Sequence, residues 1–341
     1  MLLLVATLAA GCGGGSAPDS SRLERRARAF ELIRGGKTVE AEAILRPLLV
    51  EDPRPDPEVD RALTTIYLES YHFNAALAVI DRWLKDDPAD PTPPLLRADV
   101  HARAGEPPDV LIADFEAALK RDPEQMKARL GLADALRSAN RHEDALKSYE
   151  QVIARRPKDA AARVGAARSS LALGRDDQAS RLLDEALAID PADAVALVEQ
   201  ANLLNRRGRF DEALKWLDRA VAADPFDPES RYKRGLLLSK LGRGPEAKAE
   251  QELAAKLRVE NTKIAEIRDA LLKTPDDPDL QCEAAHRLID QGHVDEGVAW
   301  AERAFKIAPG HPQACRILAE HHEKAGRSGL ANYYRAQAKA R

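Results

Sequence analysis

The sequence predicts an all-α solenoid of stacked helical hairpins, and three observations support that prediction. Four alanines, Ala145, Ala179, Ala213 and Ala247, stand 34 residues apart. Twelve residues before each lies another small residue (Ala133, Ala167, Ala201, Gly235), and twelve after the first three lie Pro157, Pro191 and Pro225. Gly174, Gly208 and Gly242 precede the last three alanines by five residues. A fixed period of this length marks a repeat architecture, in which each unit buries its apolar face on its neighbours.

Bulk properties agree. A chain of 341 residues exceeds the ~250–300 residues at which single cores stop growing, a limit that a linearly growing stack escapes. Charged residues make up 32% and aromatic residues 4%, a balance suited to long helices with solvated faces. The net charge of −4 holds no basic excess, so nucleic acid is not an expected partner.

The N-terminus differs in kind. Met1 to Ala10 is uncharged and mostly apolar, followed by Gly11-Cys12-Gly13-Gly14-Gly15-Ser16. A run of ten is too short to cross a bilayer as a helix, which takes about 20 residues; it fits the apolar part of a secretory signal. Leu8-Ala9-Ala10-Gly11-Cys12 resembles the bacterial lipobox. That resemblance implies a lipoprotein signal peptide over 1–11, lipidation (palmitate among the acyl chains) on Cys12, and a flexible Gly/Ser-rich tether over 12–21. Several acyl chains on one residue make a durable membrane anchor. Gly13 stands where aspartate would signal inner-membrane retention, so the expected place is the cell envelope, on an outer membrane facing the periplasm where the cell has one. Basic residues ahead of the apolar run are missing, which fits a start codon farther upstream.

From residue 22 the repeat resembles the tetratricopeptide repeat, a 34-residue helix–turn–helix unit. Within 194–227, Leu197, Ala201, Leu204, Gly208, Phe210, Ala213, Leu217, Ala220 and Pro225 occupy the family's positions 4, 8, 11, 15, 17, 20, 24, 27 and 32. Small residues at helix crossings permit close packing, glycine at 15 tolerates the left-handed conformation that ends the first helix, and proline at 32 stops the second. About nine units follow, and the resemblance implies that they wind into a right-handed superhelix.

Residues 22–55 match through Ala29, Gly36, Ala41 and Pro53, and 57–90 through Tyr67, Phe73, Ala76 and Pro88. Residues 91–125 keep Ala98, Ala118 and Pro123, with one extra residue in the Gly105–Asp109 turn. Three strong units at 126–159, 160–193 and 194–227 precede 228–261, which has Val259 in place of proline. The rhythm then slips by 16 residues beyond one period between Ala247 and Gly297. Leu253, Leu257, Ile264, Ile267 and Leu271 recur at helical spacing there, predicting one long helix near 245–273, straight or kinked near Asn261. The domain plan is therefore seven repeats over 22–261, a helical joint over 262–277, and two repeats over 278–341. In the last two units, Gly297 replaces the alanine at position 20, and Ala319, Gly326, Ala331 and Ala338 keep the pattern.

In this family the first helices line a concave groove, with positions 2, 5, 9, 12 and 13 pointing into it. Carried onto this chain, the middle of the groove holds Lys127, Leu130, Asp134, Arg137, Val164, Arg168, Leu171, Val198, Asn202, Asn205, Arg206, Tyr232, Leu236 and Lys240. Asn side chains can grip a peptide backbone and Arg can pair bidentately with a carboxylate. The clamp by which chaperone-type relatives hold C-terminal carboxylates is absent, because Val198 and Lys233 stand where lysine and asparagine are required.

Five histidines (His286, His293, His311, His321, His322) cluster near the C-terminus with Cys282 and Cys315. Cys282 and Cys315 fall at positions that face different ways, which argues against a metal site. In an exported protein they form a possible disulfide, one repeat apart. No nucleophile elbow, zincin motif, nucleotide loop or Cys-x-x-Cys appears, and no cofactor is implied. Trp83, Trp216 and Trp300 sit near second-helix packing positions and read as core. The leading expectation is a membrane-anchored exported scaffold that binds protein or peptide partners in assembly of a cell-envelope complex, not an enzyme. A module binding cell-wall polymer or serving an enzyme as accessory remains open, as does a cytosolic scaffold if Cys12 is not lipidated.

Overall fold

The computed structural model of the protein describes residues 20–35, 37–51 and 56–339, so the signal and lipidation expectations at Cys12, together with Gly36 and Pro53, lie outside the described residues. Among these residues the chain is all helix: eighteen helices and no strand. They are α1 (Ser20–Arg34), α2 (Thr38–Glu51), α3 (Pro57–Glu69), α4 (Phe73–Asp86), α5 (Thr92–Ala104) and α6 (Pro108–Arg121). Next come α7 (Met126–Ser138), α8 (His142–Arg155), α9 (Ala160–Ala172), α10 (Asp176–Ile189), α11 (Ala194–Arg206) and α12 (Phe210–Ala223). The last six are α13 (Pro228–Lys240), α14 (Gly244–Leu271), α15 (Pro278–Asp290), α16 (Val294–Ile307), α17 (Pro312–Lys324) and α18 (Ser328–Lys339). The fold is an all-α helical repeat solenoid.

The chain forms two compact units, Met1–Ile66 and Tyr67–Arg341. In the first, α1 packs on α2 through Ala29, Leu32, Ala41, Leu45 and Leu48, all buried. Arg25 reaches across to Glu51 with both terminal nitrogens.

The second unit is a stack of hairpins whose local chemistry repeats. Ala145, Ala179, Ala213 and Ala247 are all buried at the crossings between paired helices, where a larger side chain would force the axes apart. From α3 onward each first helix ends on a residue in the left-handed region: Gly105, Gly174, Gly208, Gly242, Gly292 and Gly326, but Tyr71 (φ 63°) and Asn140 (φ 59°) at the same register. Asparagine tolerates that conformation; a tyrosine there is a strained exception. In the third hairpin Glu106 and Pro107 separate Gly105 from α6, whereas one residue suffices between Asn140 and α8.

Hairpins are joined by turns built on aspartate. The Asp190 carboxylate accepts from the Ala192 amide at 3.0 Å, and Asp193 caps α11 by accepting from the Ala196 amide at 2.9 Å. Asp224 and Asp227 repeat the arrangement before α13, and Asp159 and Asp277 cap α9 and α15. Each cap satisfies an amide that the helix start would leave unpaired. Pro191 and Pro225 sit between such aspartates, where the second helix has already stopped.

α14 is one continuous helix of 28 residues, so the long helix expected near 245–273 is present and unbroken at Asn261. The boundary drawn at residue 262 therefore falls inside a helix. Its first half, through Ala247, lies against α13; its second half, through Ile264, Ile267 and Leu271, joins the core of α15 and α16. No described helix is long and apolar enough to cross a membrane.

Candidate functional site: the first-helix face

First helices of consecutive hairpins touch one another, α7 with α9, α9 with α11 and α15 with α17, and no consecutive second helices come as close. The first helices α7, α9 and α11 therefore share one face, which Lys240 of α13 joins through its hydrogen bond to Asn205 of α11. Two glycines let it close up. A Cβ on Gly131 would lie 2.4 Å from the Phe115 ring, and one on Gly165 would lie 2.3 Å from that of Tyr149. Each aromatic ring from a second helix thus lies across the backbone of the following first helix.

Tyr149 is held from both sides. Its hydroxyl donates to Asp134 at 2.6 Å and accepts from Arg137 Nε at 3.3 Å. Burial, with the Asp134 charge beside it, pushes the phenol well above its ordinary range. Asp134 and Arg137 are therefore brought together, but around a tyrosine of their own hairpin.

The other charged members of the face are also paired internally. Lys127 meets Asp99 at 3.1 Å, Arg168 meets Glu199 at 3.3 Å, and Arg206 meets Asp176 at 3.0 Å. Lys240 donates to the Asn205 side-chain oxygen at 2.9 Å and lies over the Phe210 ring. Asn202 donates to Glu199 at 3.0 Å. Exposed pairs of this kind add little stability; they fix side-chain directions. Each asparagine then keeps half its amide, the Asn202 oxygen and the Asn205 nitrogen, without a protein partner among the described residues.

The apolar members divide. Val164 and Val198 are buried in the core between first helices, so these two expected groove residues pack inward, because adjacent first helices converge there. Leu130 and Leu171 are half-buried. Tyr232 and Leu236 remain open, 36% and 41% exposed, and the Arg258 guanidinium stacks 4.3 Å above the Tyr232 ring. Val195, at position 2 of its unit, is 47% exposed on the same face and was missed in the sequence reading, although its register position marked it. Arg258 could not be found that way, since it belongs to α14 beyond the regular pattern.

Farther along, α15 and α17 border a cavity of about 520 Å³ lined by Glu260, Asp279, Cys282, His286, Arg287 and Arg316 among others. The disulfide considered between Cys282 and Cys315 is not formed: both are buried free thiols. Cys282 Sγ instead lies 3.5 Å from His311 Nδ1, whose other nitrogen is 3.1 Å from Asp279. Among the described residues no group of three or more His, Cys, Asp or Glu side chains is placed to hold a metal ion.

Comparison with known proteins places these repeats. Tetratricopeptide repeat family profiles match residues 95–160, 136–194 and 178–240. A crystal structure of a tetratricopeptide repeat protein from Parabacteroides merdae is similar at 19% identity and TM-score 0.58, covering 76% of this chain and 100% of that one. The structure of an APC/C Cut9–Hcn1 hetero-tetramer is similar at 15% identity and TM-score 0.50, covering 87% of this chain and 56% of that one. No curated protein matches. The likeness to solved structures is one of fold.

Proposed function

We propose, from the premise that this chain is a tetratricopeptide-repeat protein, that it is an exported, lipid-anchored scaffold whose first-helix face captures an extended peptide segment of a protein partner. The observation behind the binding site is the pairing of open apolar side chains (Val195, Tyr232, Leu236) with two asparagines whose amides are half used, on α11 and α13, the first helices of two consecutive hairpins. An extended peptide offers alternating side chains to apolar anchors and a backbone whose amide groups suit asparagine. Because the arginines and lysines of the face are already paired, the reading favours apolar contacts and backbone hydrogen bonds over a charged clamp. The anchor is supported by the Leu8–Cys12 motif, and with it comes a place in the cell envelope and a role in assembling a complex there.

Photo-crosslinking from Asn202 or Tyr232 in living cells tests the site. Adducts to a protein that vanish with Leu236→Asp support it; crosslinks found only to cell-wall polymer, or adducts unchanged by Leu236→Asp, overturn it. The anchor is tested separately: labelled palmitate should enter the wild-type protein and not Cys12→Ala.

A further inference from the structure

A second cavity, of about 530 Å³, lies away from the asparagine pair, where the α5–α6 turn, the end of α14 and the outer face of α16 meet. Its lining includes Tyr71, Arg103, Arg268, Asp269, Trp300 and Arg303. The volume is that of a metabolite-sized site.

Its guanidinium groups leave donors unused. Arg303 lies 4.8 Å above the Trp300 ring and 5.5 Å from that of Tyr71, yet among the described residues it has no carboxylate within ion-pair distance. Burial lowers its pKa, Tyr71 and the Glu69 and Glu296 carboxylates pull it back up, and the neighbouring Arg103 charge pushes it down again. Arg103 is exposed and also lacks an ion-pair partner among the described residues. Arg268 pairs with Glu296 at 2.6 Å through one terminal nitrogen, but its Nε is buried with no hydrogen-bond partner. Buried donors are normally satisfied, and an orphan one marks an unmet need for an acceptor.

The aromatic wall has a cost of its own. Tyr71 adopts φ 63° where six other hairpins place glycine, and its ring packs 4.9 Å from Trp300. A bulky residue in a left-handed conformation is strained, and such strain persists where the surrounding packing holds the side chain in place. Here it helps pin the Arg303 plane.

We propose that this cavity is a binding site for a small organic oxyanion, a phosphate- or carboxylate-bearing molecule, held by Arg103, Arg268 and Arg303. Arginine forks match the oxygen sets of both groups. Asp269 and Glu296 temper the positive charge, so affinity rests on geometry as well as charge. The ligand would bridge α5, α14 and α16, which lie far apart in sequence, and so tie the ends of this stretch of the solenoid together.

The test uses the full chain at fixed ionic strength, with orthophosphate and citrate titrated separately by calorimetry against chloride as control. Saturable binding of either anion is expected, weakened at least tenfold by Arg103→Gln, an exposed position that leaves the core intact, and tightened by Asp269→Asn. Arg168→Gln on the first-helix face should leave it unchanged. Response to orthophosphate alone or to citrate alone identifies the headgroup. No saturable binding of either anion, or binding indifferent to both Arg103→Gln and Asp269→Asn, overturns the proposal.

Discussion

The regular stack from α7 to α13 and the C-terminal part from α14 to α18 are made of the same hairpins, yet they are held together differently. In the regular stack every packed helix is a neighbour or next neighbour in sequence. The Phe115 and Tyr149 rings settle over Gly131 and Gly165, and aspartate turns recur between hairpins. In the C-terminal part α14 runs straight through the place where a hairpin turn would stand. Gly297 takes the alanine's place because a Cβ there would come 2.7 Å from the Ala285 carbonyl oxygen. Trp300 meets Tyr71, which comes from the second hairpin. Nearest-neighbour packing suffices while the register is kept; once the 16-residue slip breaks it, contacts distant in sequence take over.

The largest test of that contrast is Trp300→Ala. Trp300 is 3% exposed, and emptying such a site costs about 3–5 kcal/mol. Chemical denaturation should show the C-terminal helices unfolding before the regular stack, since stability in a solenoid is local. A single unshifted transition would mean that the two parts are not energetically distinct. Ala179→Leu comes next: overpacking a fully buried crossing costs roughly 1–3 kcal/mol, and an unchanged melting temperature would contradict the register of the whole stack. Smaller is Gly208→Ala, which places a Cβ at φ 73° for about 1–2 kcal/mol. Tyr71→Gly reverses that comparison. It removes left-handed strain but loses ring contacts worth ~0.5–1.5 kcal/mol, so its net effect on stability should be the smaller of the two. A loss larger than that of Gly208→Ala would make the Tyr71–Trp300 contact the dominant tie.

How much of this was legible in the sequence follows from the same contrast. The 34-residue alanines, the left-handed glycines and the long helix through Ile264, Ile267 and Leu271 are periodic, so the sequence displays them directly. Lys127, Arg168, Asn202, Asn205 and Arg206 could be placed on one face by register, but their ties to Asp99, Glu199, Lys240 and Asp176 could not. Those ties depend on rotamers and on which neighbouring unit supplies the acid. Val164 and Val198 were expected in the open groove because register positions ignore how closely first helices converge. Nothing periodic connects Tyr71 with Trp300 or Arg103 with Arg303, and that cavity was invisible to pattern reading.

The finest test concerns the two thiols of the C-terminal part, which the regular stack lacks. Cys282 is 1% exposed, and burial, helped by the Asp279 charge, raises its pKa from 9.0 to about 12. Cys315, fully buried, is raised for the same reason. A thiolate is the reactive form, so iodoacetamide should label neither cysteine in the folded protein near neutral pH and both in denaturant. The linkage has a definite sign. The unfolded chain loses its thiol protons first, so this contribution to stability is whole below pH about 9 and is lost as pH rises through about 12. Denaturation midpoints of wild type and Cys282→Ala should therefore converge as the pH is raised across that window. If the midpoints stay parallel, the buried thiol is not the group that titrates.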